Sequence, residues 1–592
     1  MFLPARYAGR RPAPQGFNAL RTLGIAVGYS DVFGVEPTWN DLLDRVRQYS
    51  LLQIVDLVGR VSTRMGTPEP FWLPKTQDAL CGGIFGPQRQ RVWETVLGIE
   101  REVQAKGSWS PIAIFSELQL LNLLKVAFLV LPVEGPEGDK SVEPFGEALL
   151  MVSDLIRGTP AQDEPDLAGW SEGSWPLLLL ANGLFNHGAD LAHELARSYD
   201  LYLTDKPGLR GHPDHLYLPA LARHTTGLGI DVLWAGTFAI AGHWLQPDDK
   251  LAATTSSPLD PVAYFTTGFE FSRKEAETLF GWFATDADAV QREVRELYSR
   301  ENLQPYHLLP FEKHPLFLFG DRAFCASVQL ACRRLTRGFY HLFRHPTQPR
   351  DVSERFQRYL GAVFADYVDR LLVRAYPEST GRFIRLDDHA RGRRLPICDF
   401  AVLYGDGAIL LECKAKVLSL SARAATSPQD LHTRCEELYI ASARQLDATI
   451  RAIEWGEFRA LGLNPDVLRR YYPVTVALDD VAMNAVLYRW IERRLQQESV
   501  LGHPKVRPYQ VLDIGELELV ESAVLAGTRF DALLEAKTGS PMLAFEPFRN
   551  YYLALDRGRA PLKNSFLHEE FERISQDALR FFEGRQRSGA GI

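Results

Sequence analysis

The residues best placed to do chemistry are Asp399, Glu412 and Lys414, within the run ICDFAVLYGDGAILLECK. Side chains alternate faces along a strand, so Glu412 and Lys414 point one way and Leu411 and Cys413 the other. Gly405-Asp406-Gly407 is a tight-turn signal between two apolar runs, 397–404 and 408–415. A hairpin there folds the Asp399 strand back on the Glu412 strand and sets the two carboxylates side by side. Two carboxylates converging among apolar residues repel each other and are costly to bury unpaired. A divalent cation removes that cost, and oxygen ligands with room for water suit Mg²⁺ or Mn²⁺. Lys414 could then orient an attacking water or stabilise charge on a phosphate. The competing account is a surface hairpin carrying an ordinary Glu–Lys pair.

The elements that would position these groups follow from the pattern around them. Residues 352–374 read as a long amphipathic helix, and 382–387, 397–404 and 408–415 as strands. A helix over about 427–454 follows, then a buried strand at 474–478 and a helix at 482–498. Residues 509–513 and 514–526 add a further strand and helix. The order is helix, three strands, helix, strand, a mixed α/β arrangement.

This arrangement resembles the PD-(D/E)xK nuclease superfamily, with its restriction-endonuclease-like fold, over residues of about 345–500. The matching residues are Asp399, Glu412 and Lys414. The resemblance implies a Mg²⁺- or Mn²⁺-dependent nuclease that hydrolyses phosphodiester bonds, with DNA the expected substrate. Asp399 and Glu412 would be the metal ligands, with Lys414 assisting the water. It also implies a further acid on the first helix, here Glu354, and a polar residue on the helix after the motif, here Gln445. Thr449 stands where some branches place a Tyr, four residues after that Gln. A nuclease joined to a large unassigned region resembles restriction or anti-phage effectors. The alternative from another class is a catalytically idle nuclease-like module acting as a nucleic-acid-binding or assembly scaffold.

Substrate contacts are sought among cations. Residues 382–394 (RFIRLDDHARGRR) hold five arginines, and Arg391, Arg393 and Arg394 lie on the approach to the Asp399 strand. Phosphate gripping is their expected role. Arg333, Arg334, Arg337 and Arg344 are interleaved with Phe339, Tyr340 and Phe343, a mixture that fits nucleic acid. Helical spacing makes those aromatics core candidates as well. Cys398 and Cys413 flank the motif and read as small core residues.

The first 345 residues read as mostly helical, in two regions, 1–157 and 177–345, around the Gly-, Pro- and acid-rich stretch 158–176. Helical patterns cover 39–65, 116–131 with Ser116 as N-cap, 187–199, 272–284 and 286–300. Pro346 and Pro349 mark the boundary before the α/β region of 346–500, and 501–592 reads as an α/β and helical extension packed on it. The fold class expected is therefore α+β, a helical N-terminal region followed by a restriction-endonuclease-like domain. The helical region is the expected site of recognition, regulation or a protein partner. His187, Asp190, His193 and Glu194 look like a metal-binding helix, but Arg197 stands where H-E-x-x-H needs its second histidine.

Composition narrows the class. The chain has 592 residues, 46% hydrophobic and 24% charged, with a net charge of −8. These values exclude a histone-like basic protein, a fibre and a largely disordered chain. Six cysteines without a C-x-x-C pair are too sparse for a disulfide framework or a cysteine zinc site. The most apolar window, 112–133, is interrupted by Glu117, Gln119, Asn122 and Lys125, so a buried helix is expected there and no membrane span. A reduced, cytoplasmic setting is the expectation.

Overall fold

The computed structural model describes residues 2–4, 24–65, 74–105, 112–138, 141–155, 191–244, 259–344, 349–386, 396–417, 428–479, 483, 485–540, 543–555 and 564–589. The protein is a mixed α+β structure. Its largest sheet has five strands: β1 (Phe383–Arg385), β2 (Phe400–Tyr404), β3 (Gly407–Lys414), β4 (Arg470–Ala477) and β5 (Gln510–Asp513). Their spatial order is β5-β4-β3-β2-β1. β1, β2 and β3 run antiparallel in succession, while β3, β4 and β5 are mutually parallel neighbours. β3 therefore lies at the centre, with a hairpin partner on one side and a crossover partner on the other.

The hairpin turn has two residues, Gly405 and Asp406, because Tyr404 pairs with Gly407. Gly405 sits at φ 57°, a conformation that suits glycine and matches the twist of the strands. The parallel step from β3 to β4 needs a long crossover. Helix α2 supplies it, running from Pro428 to Glu454 with a π-helical turn at Glu436–Ile440. The helix before the sheet, α1, spans Arg350–Ala375. α3 (Ala485–Glu498) and α4 (Ile514–Leu525) complete the surroundings.

Alternation along the strands divides the core in two. Ala401, Ala408, Leu410 and Tyr471 pack with Leu438, Tyr439, Leu446 and Ile450 of α2. Phe400, Val402, Ile409, Leu411 and Val474 pack with Phe364, Tyr367, Val368 and Leu371 of α1 and with Leu517 of α4. A strand apolar on both faces is what a sheet covered by helices on both sides requires.

The N-terminal half is mostly helical, with corrections. The expected 39–65 helix is two helices, Trp39–Val46 and Leu51–Met65. Ser50 breaks the run, taking Gln53 Oε1 on its own backbone N–H in place of a helical partner. Glu117–Val130 is a buried helix, and Ser116 caps it. Leu316–Phe319 and Arg322–Cys325 form a hairpin that a helical reading misses, turned at Gly320, φ 63°. Among the described residues, no helix is long and apolar enough to cross a membrane.

Buried ion pairs join this half to the sheet. Arg197, on the helix Leu191–Tyr202, donates to both oxygens of Glu518 on α4, at 2.7 and 2.9 Å. Tyr367 of α1 donates to the same carboxylate at 2.8 Å. Arg197 is thus a structural cation; its expected neighbours His187 and Asp190 lie outside the described residues. Arg337 pairs at 2.7 Å with Asp479, just past β4. The aromatics interleaved with it, Phe339, Tyr340 and Phe343, are buried core residues and offer no stacking surface.

Removing one partner of a buried pair strands the other charge, which costs about 3–5 kcal/mol. Arg197→Met is therefore expected to lower unfolding free energy by about that amount. Urea titration checks it, and a loss below about 1 kcal/mol would mean that Glu518 is reached by water.

Candidate active site

The site begins where β2 leaves the sheet. The last β2–β3 pair is Phe400 with Leu411, so the same register would place Asp399 opposite Glu412 and then Cys398 opposite Cys413. The chain departs first. The Cys398 N–H donates to Thr449 Oγ1 on α2, at 2.8 Å. The Cys413 N–H, which an unbroken ladder would have satisfied by backbone, donates instead to Asp399 Oδ2 at 2.6 Å. The Asp399 side chain thus closes the ladder, and its carboxylate lies against the backbone of the residue after Glu412.

Glu412 and Lys414 share the face of β3 that packs on α2, as period-two alternation requires. Glu412 is 2% exposed. Lys414 Nζ donates to its Oε1 at 2.5 Å and to Gln445 Oε1 at 3.3 Å. Gln445 in turn donates through Nε2 to the carbonyl of Ile397, at 2.8 Å. Glu412 Oε2 is buried with no hydrogen-bond partner. Burial, then the negative charge of Asp399, push the Glu412 carboxyl up to about 8, against the opposing pull of Lys414.

Beneath the carboxylate lies a third residue on the same face. Thr475 of β4 is in register with Glu412. The Tyr509 hydroxyl donates to Thr475 Oγ1 at 2.7 Å, with the carbonyl oxygen of Tyr439 at 3.2 Å. Tyr439 belongs to the π-helical turn of α2. Thr475, Tyr509 and Thr449 were not anticipated as site residues. Only Thr475 left a signal, as the lone polar residue within the strand VTVAL.

The structure therefore brings together Asp399, Glu412, Lys414 and Gln445. It does not bring Glu354. That residue sits in the second turn of α1, pairs with Arg350 at 2.8 Å, and is half exposed. α1 covers the opposite face of the sheet, so the expected approach of Glu354 to the carboxylates is absent from its described contacts. Arg391, Arg393 and Arg394 lie outside the described residues.

A divalent ion fits the donor set in one respect: the orphaned Glu412 Oε2 lies in a site whose carboxylates repel each other. Among the described residues no group of three or more His, Cys, Asp or Glu side chains is arranged to hold a metal. Protein ligation would rest on Asp399 and Glu412, with water or substrate oxygens completing it. No known protein family matches the chain, and no curated protein matches it either.

The raised Glu412 carboxyl has a consequence for stability without metal. The unfolded chain releases this proton near 4.5 and the folded chain holds it to about 8. Between these values the folded state binds more protons, so stability falls as pH rises, by up to about 5 kcal/mol. Glu412→Gln is expected to remove that slope. Urea unfolding in EDTA at about pH 5 and about pH 8 measures it; equal slopes in wild type and variant would overturn the burial account.

Proposed function

We propose that this protein is a divalent-metal-dependent phosphodiesterase acting on nucleic acid, with DNA the favoured substrate, and that 346–500 is a restriction-endonuclease-like domain. One observation carries the reading: a nearly inaccessible carboxylate, Glu412, keeps an unpartnered oxygen beside Asp399 with Lys414 on the same face. A purely structural acid at such a cost is normally fully hydrogen-bonded. The element order helix, three strands, helix, strand, with β4 parallel to β3, supports the fold assignment.

Asp399 and Glu412 would hold Mg²⁺ or Mn²⁺, which supplies Lewis acidity toward a phosphoryl oxygen and a more acidic water. The chain's own residues do the rest. Asp399 is fixed by the Cys413 N–H. Lys414 places a cationic donor at the mouth of the site, where negative charge builds on the phosphoryl oxygens in the transition state. Gln445 keeps the Lys414 ammonium from swinging away and ties α2 to the strand entering at Ile397. The helical half would recognise or regulate, as in restriction or anti-phage effectors.

A second reading is favoured by the Lys414–Glu412 pair itself. With Lys414 neutralising Glu412, the module can stand as a catalytically idle nucleic-acid-binding or assembly scaffold. Cleavage of supercoiled plasmid, linear duplex, single-stranded DNA and RNA separates the two. With Mg²⁺ or Mn²⁺, wild type is expected to cut DNA, EDTA to stop it, and Lys414→Ala to slow it at least about 100-fold. Asp399→Ala is expected to abolish any rise of melting temperature with Mn²⁺. No cutting and no metal-induced rise in wild type would remove the phosphodiesterase reading.

A further inference from the structure

Glu412 and Lys414 are the first two members of a row. Two residues on, Lys416 continues along the same face, since Cys413, Ala415 and Val417 all turn toward the α1 core. Lys416 Nζ donates to Glu437 Oε2 at 3.0 Å. Arg434 donates to that same oxygen through NH1 at 2.9 Å. One carboxylate therefore holds two cations, and one positive charge is left over beside the mouth of the site. Both cations have donors to spare. Lys416 spends one of its three N–H groups, and the guanidinium of Arg434 spends one of its five, both on Glu437. The three side chains are between a third and a half exposed, so solvent and ligands reach them.

The scaffold fixes where the pair stands. Glu437 lies in the π-helical turn of α2, and Gln445, which steadies Lys414, lies eight residues on in the same helix. β3 ends at Lys414, but the in-out alternation continues through Ala415 and Val417. At the rise of a strand this carries the backbone about 6.6–7 Å from Lys414 to Lys416, comparable with the step between neighbouring phosphates of one nucleic-acid strand. A backbone step of that size lets two flexible lysine side chains, Lys414 and Lys416, reach toward consecutive phosphates.

The geometry points to a phosphate subsite formed by Lys416 and Arg434, with Glu437 as its tether, which receives the backbone phosphate next to the one addressed by Lys414. The inference rests on the phosphodiesterase reading and adds to it the path of the nucleic-acid strand: its backbone runs outward along the end of β3 toward the start of α2. Glu437 keeps the two cations together before substrate arrives. A phosphate then takes the unspent donors, a charge-assisted contact to a preformed pair. Such contacts carry no sequence information and set the register of the strand.

The test is DNA binding in EDTA, with labelled single-stranded and duplex oligonucleotides, followed over a range of salt. Lys416→Ala and Arg434→Ala are each expected to weaken binding about 3- to 10-fold and to lower the slope of log affinity against log salt by about 1. Lys416→Arg should keep the wild-type slope. Arg273→Ala removes an equal charge from an exposed pair on another helix and should change neither quantity. In the cleavage assay with Mn²⁺, the two alanine variants should raise KM and leave kcat near wild type. If Arg434→Ala does not fold, Lys416→Ala alone decides. Wild-type affinity and slope in Lys416→Ala, with cleavage intact, would overturn the subsite and leave the phosphodiesterase reading standing. Failure of wild type to bind or cut any of these nucleic acids would overturn both.

Discussion

Burying the Glu412 carboxylate at the end of β3 makes demands on every element around it. The cost of removing such a charge from water is several kcal/mol unless it is compensated. Lys414 compensates part of it from two residues away on the same strand. That pair would close on itself without Gln445, which holds the ammonium from α2. Gln445 in turn grips Ile397, and Thr449 grips Cys398, so the chain leaves the β2–β3 ladder at a defined point. That departure frees the Cys413 N–H for Asp399. Each contact is ordinary, but they form a ring around one acid, and the crossover helix closes it.

The helical half is fastened to this framework by charge as well as by apolar packing. Residues before 345 contribute to the cores on both faces of the sheet. Arg337 reaches Asp479 just past the end of β4, and the N–H of Leu478 donates to the carbonyl of Lys414 at 2.9 Å. Only a few bonds thus separate a helix of the first half from the strand that carries the acid and the lysine. A displacement of that helix would be felt at the end of the sheet.

Much of the sheet was legible because its signals are local. Period-two alternation and Gly405-Asp406-Gly407 gave the hairpin, and the spacing of Glu412 and Lys414 gave their common face. Gln445 was singled out only through a family resemblance, and no local signal marks it; the structure places it within reach of Lys414. Glu354 was not, because an amphipathic helix does not announce which face of a sheet it will cover. Phe339 and Phe343 show the same ambiguity resolved the other way: helical spacing allowed a core, and the fold uses it. Tyr509 and Thr449 meet the site only through long-range packing, so nothing near them in sequence marks them. The hairpin at Leu316–Phe319 had its own Gly-Asp turn, but the helices around it masked the signal.

The π-helical turn of α2 settles a matter of phase. An α-helix turns about 100° per residue, so the eight steps from Glu437 to Gln445 would leave them about 80° apart. A wide turn absorbs one residue, which brings them to within about 20° of a common line. One helix can then address Lys416 with its first half and Lys414 with its second, although one lysine ends the strand and the other lies two residues past it. The extra residue acts as a vernier between two incommensurate rulers, the helix and the strand. Losing it would rotate everything before residue 436 by more than a quarter turn against the sheet, while the ring around Glu412 stayed in place.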